Sequence, residues 1–208
     1  MTIRVTIDGN IGVGKSTVLE GLRAKLAHEP ALQSAIVLEP VNDWVAYGFL
    51  EKMYEGKISP YEFQNVVMIS MAAALARAST EQPSLVITER SVESSFEVFG
   101  TVTLDKNTQS FAMLEYAQSQ LTTLLPVYNR EHHIYLQLSP KEAFRRVSKR
   151  ERSAEKGTTE TYLEKVADAY NEWLATKHDT NKTIIDANRN IEEVVADDAH
   201  VLREVLEV

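Results

Sequence analysis

The sequence contains no cysteine among its 208 residues. Disulfides, thiolate zinc sites and a cysteine nucleophile are thereby excluded, and the zero is compatible with a reducing compartment. No stretch approaches the roughly 18 consecutive apolar residues that a membrane-spanning helix needs. Met1-Thr2-Ile3-Arg4-Val5 leads straight into an apolar strand, without the charged start and long apolar core of a secretory signal. Positive charge is in deficit: 22 Lys and Arg against 30 Asp and Glu leave a formal net charge of -8. Such a surface repels phosphate backbones and argues against a nucleic-acid polymer as partner, although a locally positive pocket could hold a small anion. Internal repeats, low-complexity stretches and linkers are also missing, so the length suits one α/β domain over 1–208. Together these absences predict a soluble, cytoplasmic protein with neither nucleic acid nor membrane as partner.

What is present alternates. Short β-branched or apolar runs at 3–8, 35–38, 85–87, 134–138 and 183–186 read as strands. Between them, apolar residues at helical spacing predict helices over 15–27, 43–54, 61–78, 92–99, 109–129, 141–152 and 160–176, with a last one from about 190. His132-His133 reads as the entry to the fourth strand, without a function. Strand–helix alternation from end to end predicts a central parallel sheet of about five strands flanked by helices.

Gly9-Asn10-Ile11-Gly12-Val13-Gly14-Lys15-Ser16 matches the phosphate-binding pattern G-x-x-x-x-G-K-[ST] at every fixed position, between an expected strand and an expected helix. The glycines allow backbone N–H groups to wrap around phosphate, and the helix N-terminus adds partial positive charge. Lys15 is suited to the β- and γ-phosphates of ATP and the Ser16 hydroxyl to Mg²⁺. Such a loop serves switches, motors and kinases alike. No Asn-Lys-x-Asp guanine-reading motif is present, since Asn181-Lys182-Thr183-Ile184 lacks the final aspartate.

Ligands of parallel α/β sheets sit at the carboxyl ends of the strands. Glu39 ends the second expected strand and Glu89 the third. Phosphoryl transfer to a hydroxyl needs a group to take its proton and a group to hold metal, and two such acids could divide those tasks. Either acid by itself is equally compatible with a solvated strand end.

Asp8 through Thr17, then Glu39-Pro40-Val41 with Trp44, then Glu89-Arg90-Ser91, resembles the deoxyribonucleoside kinase family of thymidine, deoxycytidine and deoxyguanosine kinases. The likeness continues through Arg146–Arg152, Tyr162-Leu163 and Glu172-Trp173-Leu174, from about residue 3 to 190. It implies a P-loop kinase fold with a helical, arginine-rich lid at about 145–158. It also implies transfer of the γ-phosphate of ATP to a deoxynucleoside 5′-hydroxyl, with Mg²⁺. Glu39 would be the general base, and Arg90 would lie near the 5′-oxygen and the moving phosphate beside Lys15. Glu89 would join Ser16 on Mg²⁺. Trp44, Phe63 and Phe99 would line the base pocket and Gln64 would pair with the base edge. Tyr54 and Glu155 would hold the sugar 3′-hydroxyl. Arg146, Arg150 and Arg152 would close over ATP, bound by residues 9–17.

An aromatic sandwich with a bidentate amide suits a planar base, and arginines suit a transferring phosphoryl group. Trp44 and Phe63 are also compatible with plain core packing, and the arginine run with a solvated helix face. The sequence departs from the family pattern at Asp8, where glutamate is more usual, and at Glu93–Glu97, which lacks an arginine. Relatives selective for deoxycytidine and purines read the base with an arginine–aspartate pair. Met71 and Ser95 stand at the matching positions here, which points to the thymidine-accepting, pyrimidine-preferring branch. Two other readings share some features. A thymidylate kinase-like enzyme shares the P-loop and basic lid, but its phosphate acceptor has less need of Glu39. A P-loop switch would hydrolyse ATP slowly and use no small acceptor. The apolar stripes at 63–75 and 114–125 could build either a homodimer face or core.

Overall fold

The computed structural model describes residues 2–29, 31–150 and 157–207. Five strands form one parallel sheet: β1 (Ile3–Gly9), β2 (Ser34–Val37), β3 (Leu85–Glu89), β4 (Arg130–Gln137) and β5 (Lys182–Asp186), in the order β2-β3-β1-β4-β5. β1 lies at the centre, with Ile3 opposite both Leu85 and Arg130. Val5, Ile7, Leu85, Ile87, Ile134 and Leu136 are fully buried and form the midplane of the core. Burying each such side chain contributes roughly 1.5–3 kcal/mol before entropy is counted.

The long helices are α1 (Lys15–Leu26), α4 (Pro60–Ser79), α7 (Gln109–Leu124), α8 (Pro140–Arg150), α9 (Glu160–Ala175) and α10 (Ile191–Glu207); the shorter ones are α2 (Val41–Ala46), α3 (Phe49–Tyr54), α5 (Val92–Ser94) and α6 (Thr101–Thr103). Local chemistry sets their ends. Ser59 and Glu62 form a capping box at the start of α4, with Pro60 in the first turn. The Thr108 and Thr159 hydroxyls accept the first free N–H groups of α7 and α9. In α9 the apolar residues at helical spacing, Leu163, Val166, Tyr170, Trp173 and Leu174, are all buried.

Four expectations need correction. The single helix over 43–54 is two, because Gly48 adopts a left-handed φ of 69° and turns the chain between α2 and α3. The helix expected to run to 129 stops at Leu124, ahead of Pro126, which disfavours helical backbone at Leu125. β4 begins at Arg130 rather than at 134, and His132 and His133 are buried inside it. Beyond α5 the chain widens into a π-helical turn, Ser95–Gly100, in place of a continuous α-helix. On the apolar stripe of α7, Leu114 is buried whereas Leu124 is exposed. Among the described residues no helix is long and apolar enough to cross a membrane.

Candidate active site

A cavity of about 460 Å³ opens at the carboxyl ends of β1, β2 and β3. One end is the P-loop. Ile11, Gly12, Gly14, Lys15, Ser16 and Thr17 line it, whereas Gly9, Asn10 and Val13 are buried behind it. Asn10 braces the loop: its amide donates to the Leu163 carbonyl at 2.7 Å and its Oδ1 accepts from the Ile11 N–H at 2.8 Å. Gly12 has φ +81°, and a Cβ there would lie 2.7 Å from Val147 Cγ2 and 2.8 Å from the Ala143 carbonyl oxygen of α8. Only glycine allows α8 this close to the loop. Lys15 Nζ donates to the carbonyls of Gly9 and Asn10 at 3.2 and 3.0 Å. Burial, with Arg90 nearby, pushes its ammonium down to about 8.

The acids lie as the strand ends predict. Ser16 Oγ donates to Glu89 Oε1 at 3.0 Å, with Oε2 at 3.2 Å. Burial raises the Glu89 carboxyl, and Lys15 opposes that shift. Arg90 Nη1 donates to both oxygens of Glu39, at 2.6 and 2.7 Å, and neither side chain is more than a tenth exposed. Burial alone would favour losing the Arg90 proton, but the Glu39 carboxylate more than offsets it and Arg90 stays charged. The Arg90 guanidinium also lies over the Phe99 ring, 4.5 Å from its centroid, a cation–π contact. The backbone turns sharply to put it there. Arg90 has φ +59°, a left-handed conformation that costs a non-glycine residue about 1–3 kcal/mol. The Ser91–Ser94 capping box then restarts the chain as α5. The π-helical turn that follows brings Ser95 and Phe99 onto the cavity wall.

The far end is aromatic and amide-bearing. Trp44 and Phe63 meet edge to face at 5.7 Å, and Trp44 Nε1 donates to Ser70 Oγ at 3.0 Å. Gln64 is buried on the same wall, and its Oε1 has no hydrogen-bond partner among the described residues. A buried amide oxygen without a partner is costly unless a ligand supplies the donor. Tyr54 also lines the cavity, and its hydroxyl lies 2.9 Å from Thr158 Oγ1.

Two expected site residues lie elsewhere. Met71 is outside the cavity wall. It packs behind Ser95, whose hydroxyl donates to the Met71 sulfur at 3.3 Å and to the Ser91 carbonyl at 2.8 Å. Arg146 points away from the cavity, bonding Glu142, the Val13 carbonyl at 3.3 Å and the Ala187 carbonyl at 3.1 Å. It braces the back of the P-loop instead of covering its front. Arg150 does line the cavity. Arg152 and Glu155 lie outside the described residues. Sequence reasoning gave no site role to Val67, Leu50 and Tyr162, which also line the cavity. Val67 was legible, standing four residues after Phe63 on one helical face. It also gave no role to Asp8 and His133, a buried pair at 3.0 Å beneath the P-loop.

The family model for deoxynucleoside kinase matches residues 5–208. The chain belongs to the deoxynucleoside kinase family. It resembles enzymes named for different bases. It is 30% identical over 194 residues to the thymidine kinase of Ictalurid herpesvirus 1 (strain Auburn), an alignment spanning 91% of this chain and 81% of that protein. It is 26% identical over 200 residues to the mitochondrial deoxyguanosine kinase of Xenopus laevis, spanning 84% and 74% of the two. Among solved structures, a deoxyadenosine kinase from M. mycoides superposes with a TM-score of 0.73 at 24% identity, covering 97% of this chain and 99% of that one. That likeness fixes the P-loop kinase fold.

Proposed function

We propose that this kinase transfers the γ-phosphate of ATP to the 5′-hydroxyl of a deoxynucleoside, preferring pyrimidines and thymidine among them, as a soluble salvage enzyme of the cytoplasm. The observation that carries this reading is the Glu39–Arg90 pair between the P-loop and the aromatic pocket. A carboxylate held beside a charged arginine, at the joint between a phosphate cradle and a base-sized slot, suits a hydroxyl acceptor.

Glu39 accepts the proton of the 5′-hydroxyl as its oxygen attacks phosphorus. Arg90, fixed by Glu39 and Phe99, faces the charge that spreads over the transferring group. Lys15 turns from the loop carbonyls to the phosphates. Ser16 Oγ and Glu89 together form a hard-oxygen donor set of the kind Mg²⁺ accepts alongside phosphate oxygens and water. They would hold the ion, which supplies neutralisation of phosphate charge. Trp44, Phe63 and Phe99 enclose the base while Gln64 bonds its edge. Arg150 faces the phosphates from α8. Ser95, tied to the Ser91 carbonyl and to Met71, leaves an uncharged floor to the pocket, which supports a pyrimidine over a purine. Ile69 on α4 and Met113, Tyr116 and Leu124 on α7 are exposed apolar residues on two helices packed together. We assign that face to a second copy of the chain, and sedimentation of wild type against Tyr116→Glu tests it.

Incubation with Mg-ATP and each natural deoxynucleoside, and separately with thymidine monophosphate, tests the activity. Monophosphate formed from thymidine or deoxycytidine, and lost by at least about a hundredfold in Glu39→Gln, is the expected result. Phosphorylation of thymidine monophosphate alone, or ATP hydrolysis without an acceptor, would reject the reading.

A further inference from the structure

One buried phenol in the core has no packing reason to carry its hydroxyl. Tyr170 of α9 is wholly buried. Its ring meets Phe99 edge to face at 6.1 Å and Tyr135 at 5.1 Å, the contacts of an ordinary core aromatic. A phenylalanine would fill the same space without desolvating a hydroxyl. That hydroxyl makes no hydrogen bond of good geometry among the described residues. It nevertheless lies near Arg90 and the Gly9 backbone: burial raises the phenol, and the Arg90 charge opposes that shift. Arg90 carries the matching deficit. Its Nη1 holds both oxygens of Glu39 and its Nη2 reaches the Gly9 carbonyl at 3.4 Å, but its Nε is buried without a partner. An unused acceptor and an unused donor thus belong to neighbouring side chains, and the Phe99 ring lies against both.

We infer that Tyr170 is a positioning residue for Arg90, whose hydroxyl keeps the guanidinium in place once Glu39 no longer carries the charge that holds it. This rests on the reading of the cavity as a site of phosphoryl transfer to a hydroxyl. As the 5′-oxygen bonds phosphorus and ADP leaves, the hydroxyl proton passes to Glu39. The carboxyl is then neutral and its grip on Arg90 weakens, at the moment when the arginine is needed against the moving phosphoryl charge. The Gly9 carbonyl is a poor substitute, being 3.4 Å away and shared with Lys15. A phenol suits the task. It is neutral, so it does not compete with the Glu39 carboxylate in the resting site, and its oxygen can accept from Arg90 when the carboxylate is gone. Burial strengthens that bond once it forms.

The test compares wild type, Tyr170→Phe and Tyr135→Phe in three measurements: the single-turnover rate with the best deoxynucleoside, the dissociation constants of that substrate and of ATP, and urea unfolding. Tyr170→Phe should lower the single-turnover rate about tenfold. Both dissociation constants should stay within about twofold, because the resting site holds Arg90 through Glu39. The unfolding midpoint should hold or rise, since the variant no longer buries a hydroxyl without a good partner. Tyr135→Phe removes a phenol hydroxyl near Asp8 rather than Arg90, and should leave the rate within about twofold. An unchanged rate in Tyr170→Phe, an equal loss in Tyr135→Phe, or a loss confined to binding would overturn the inference. So would a lowered midpoint or a failure to fold, either of which would make the hydroxyl structural. A wild-type protein that phosphorylates no deoxynucleoside would reject the functional reading instead, an outcome visible before any variant is made.

Discussion

Asp198 should make this protein lose stability as the solution turns alkaline. It sits in α10 among Val194, Val195, Val201, Leu202 and Val205, at a position of the buried stripe where an apolar residue belongs. Its side chain is fully buried, and neither carboxyl oxygen has a hydrogen-bond partner among the described residues. Burial, with the charge of Asp197 adding to it, pushes the carboxyl from 3.8 up to about 8. The unfolded chain releases this proton near 3.8 while the folded chain keeps it until about 8. The group's contribution is therefore most favourable below the unfolded value and declines as pH rises, until the buried carboxyl itself ionises. Between pH 6 and pH 8 this amounts to about 2 kcal/mol of lost stability, a sizeable part of a typical domain's total. Asp198→Asn keeps the shape and removes the titration. Urea unfolding of both proteins at the two pH values isolates the effect, because every other group titrates in both. The stability of the variant relative to wild type should rise by about 2 kcal/mol from pH 6 to pH 8. Parallel stability curves would show that the buried carboxyl has found a partner or lies in water, and the reasoning would fail.

Gly12→Ala should be more damaging than Gly14→Ala. Both glycines have positive φ, but only at Gly12 would a Cβ strike its surroundings, including a carbonyl oxygen that cannot rotate away. We expect a loss of about 2 kcal/mol or more in stability for Gly12→Ala and less than that for Gly14→Ala, read by urea unfolding. Nucleotide binding should take up a proton at about pH 8.5, since phosphate restores the charge that burial removes from Lys15, whose ammonium is pushed down to about 8. The binding enthalpy should then change between buffers of different ionisation heat, and buffer-independent enthalpies would contradict it. Asn10→Ala removes the brace to the Leu163 carbonyl and should weaken ATP binding about tenfold by titration, with the fold intact by circular dichroism.

Much of this architecture follows directly from local patterns. Every strand has a β-branched or apolar run, and the P-loop sits between the strand and helix its pattern requires. Glu39 and Glu89 lie at the carboxyl end of the sheet as their strand-end positions suggested, where they meet Arg90 and Ser16. What escaped is instructive for physical reasons. Arg130-Glu131-His132-His133 looks polar, yet it pairs with β1 because partners distant in sequence satisfy it: Asp8 for His133, Thr183 for His132. No local pattern encodes a partner 51 or 125 residues away. Gly48 and Pro126 were legible breaks that helical periodicity outweighed. The π-helical turn is set by the packing of Phe96 and Phe99 on different clusters, which a spacing rule cannot anticipate. Arg146 reads as one cation in a basic run, and only the meeting of α8 with the P-loop assigns it to carbonyls instead of phosphate.

The central place of β1 has a consequence for synthesis. Its residues leave the ribosome well before its two neighbours in the sheet, which begin at Leu85 and Arg130. Until about residue 137 has emerged, Ile3, Val5 and Ile7 can pair on at most one edge, through β3, and the other edge is open to pairing with other chains. The phosphate cradle is thus made early and shaped late. Nascent chains stalled between β3 and β4 should be the ones most dependent on chaperones.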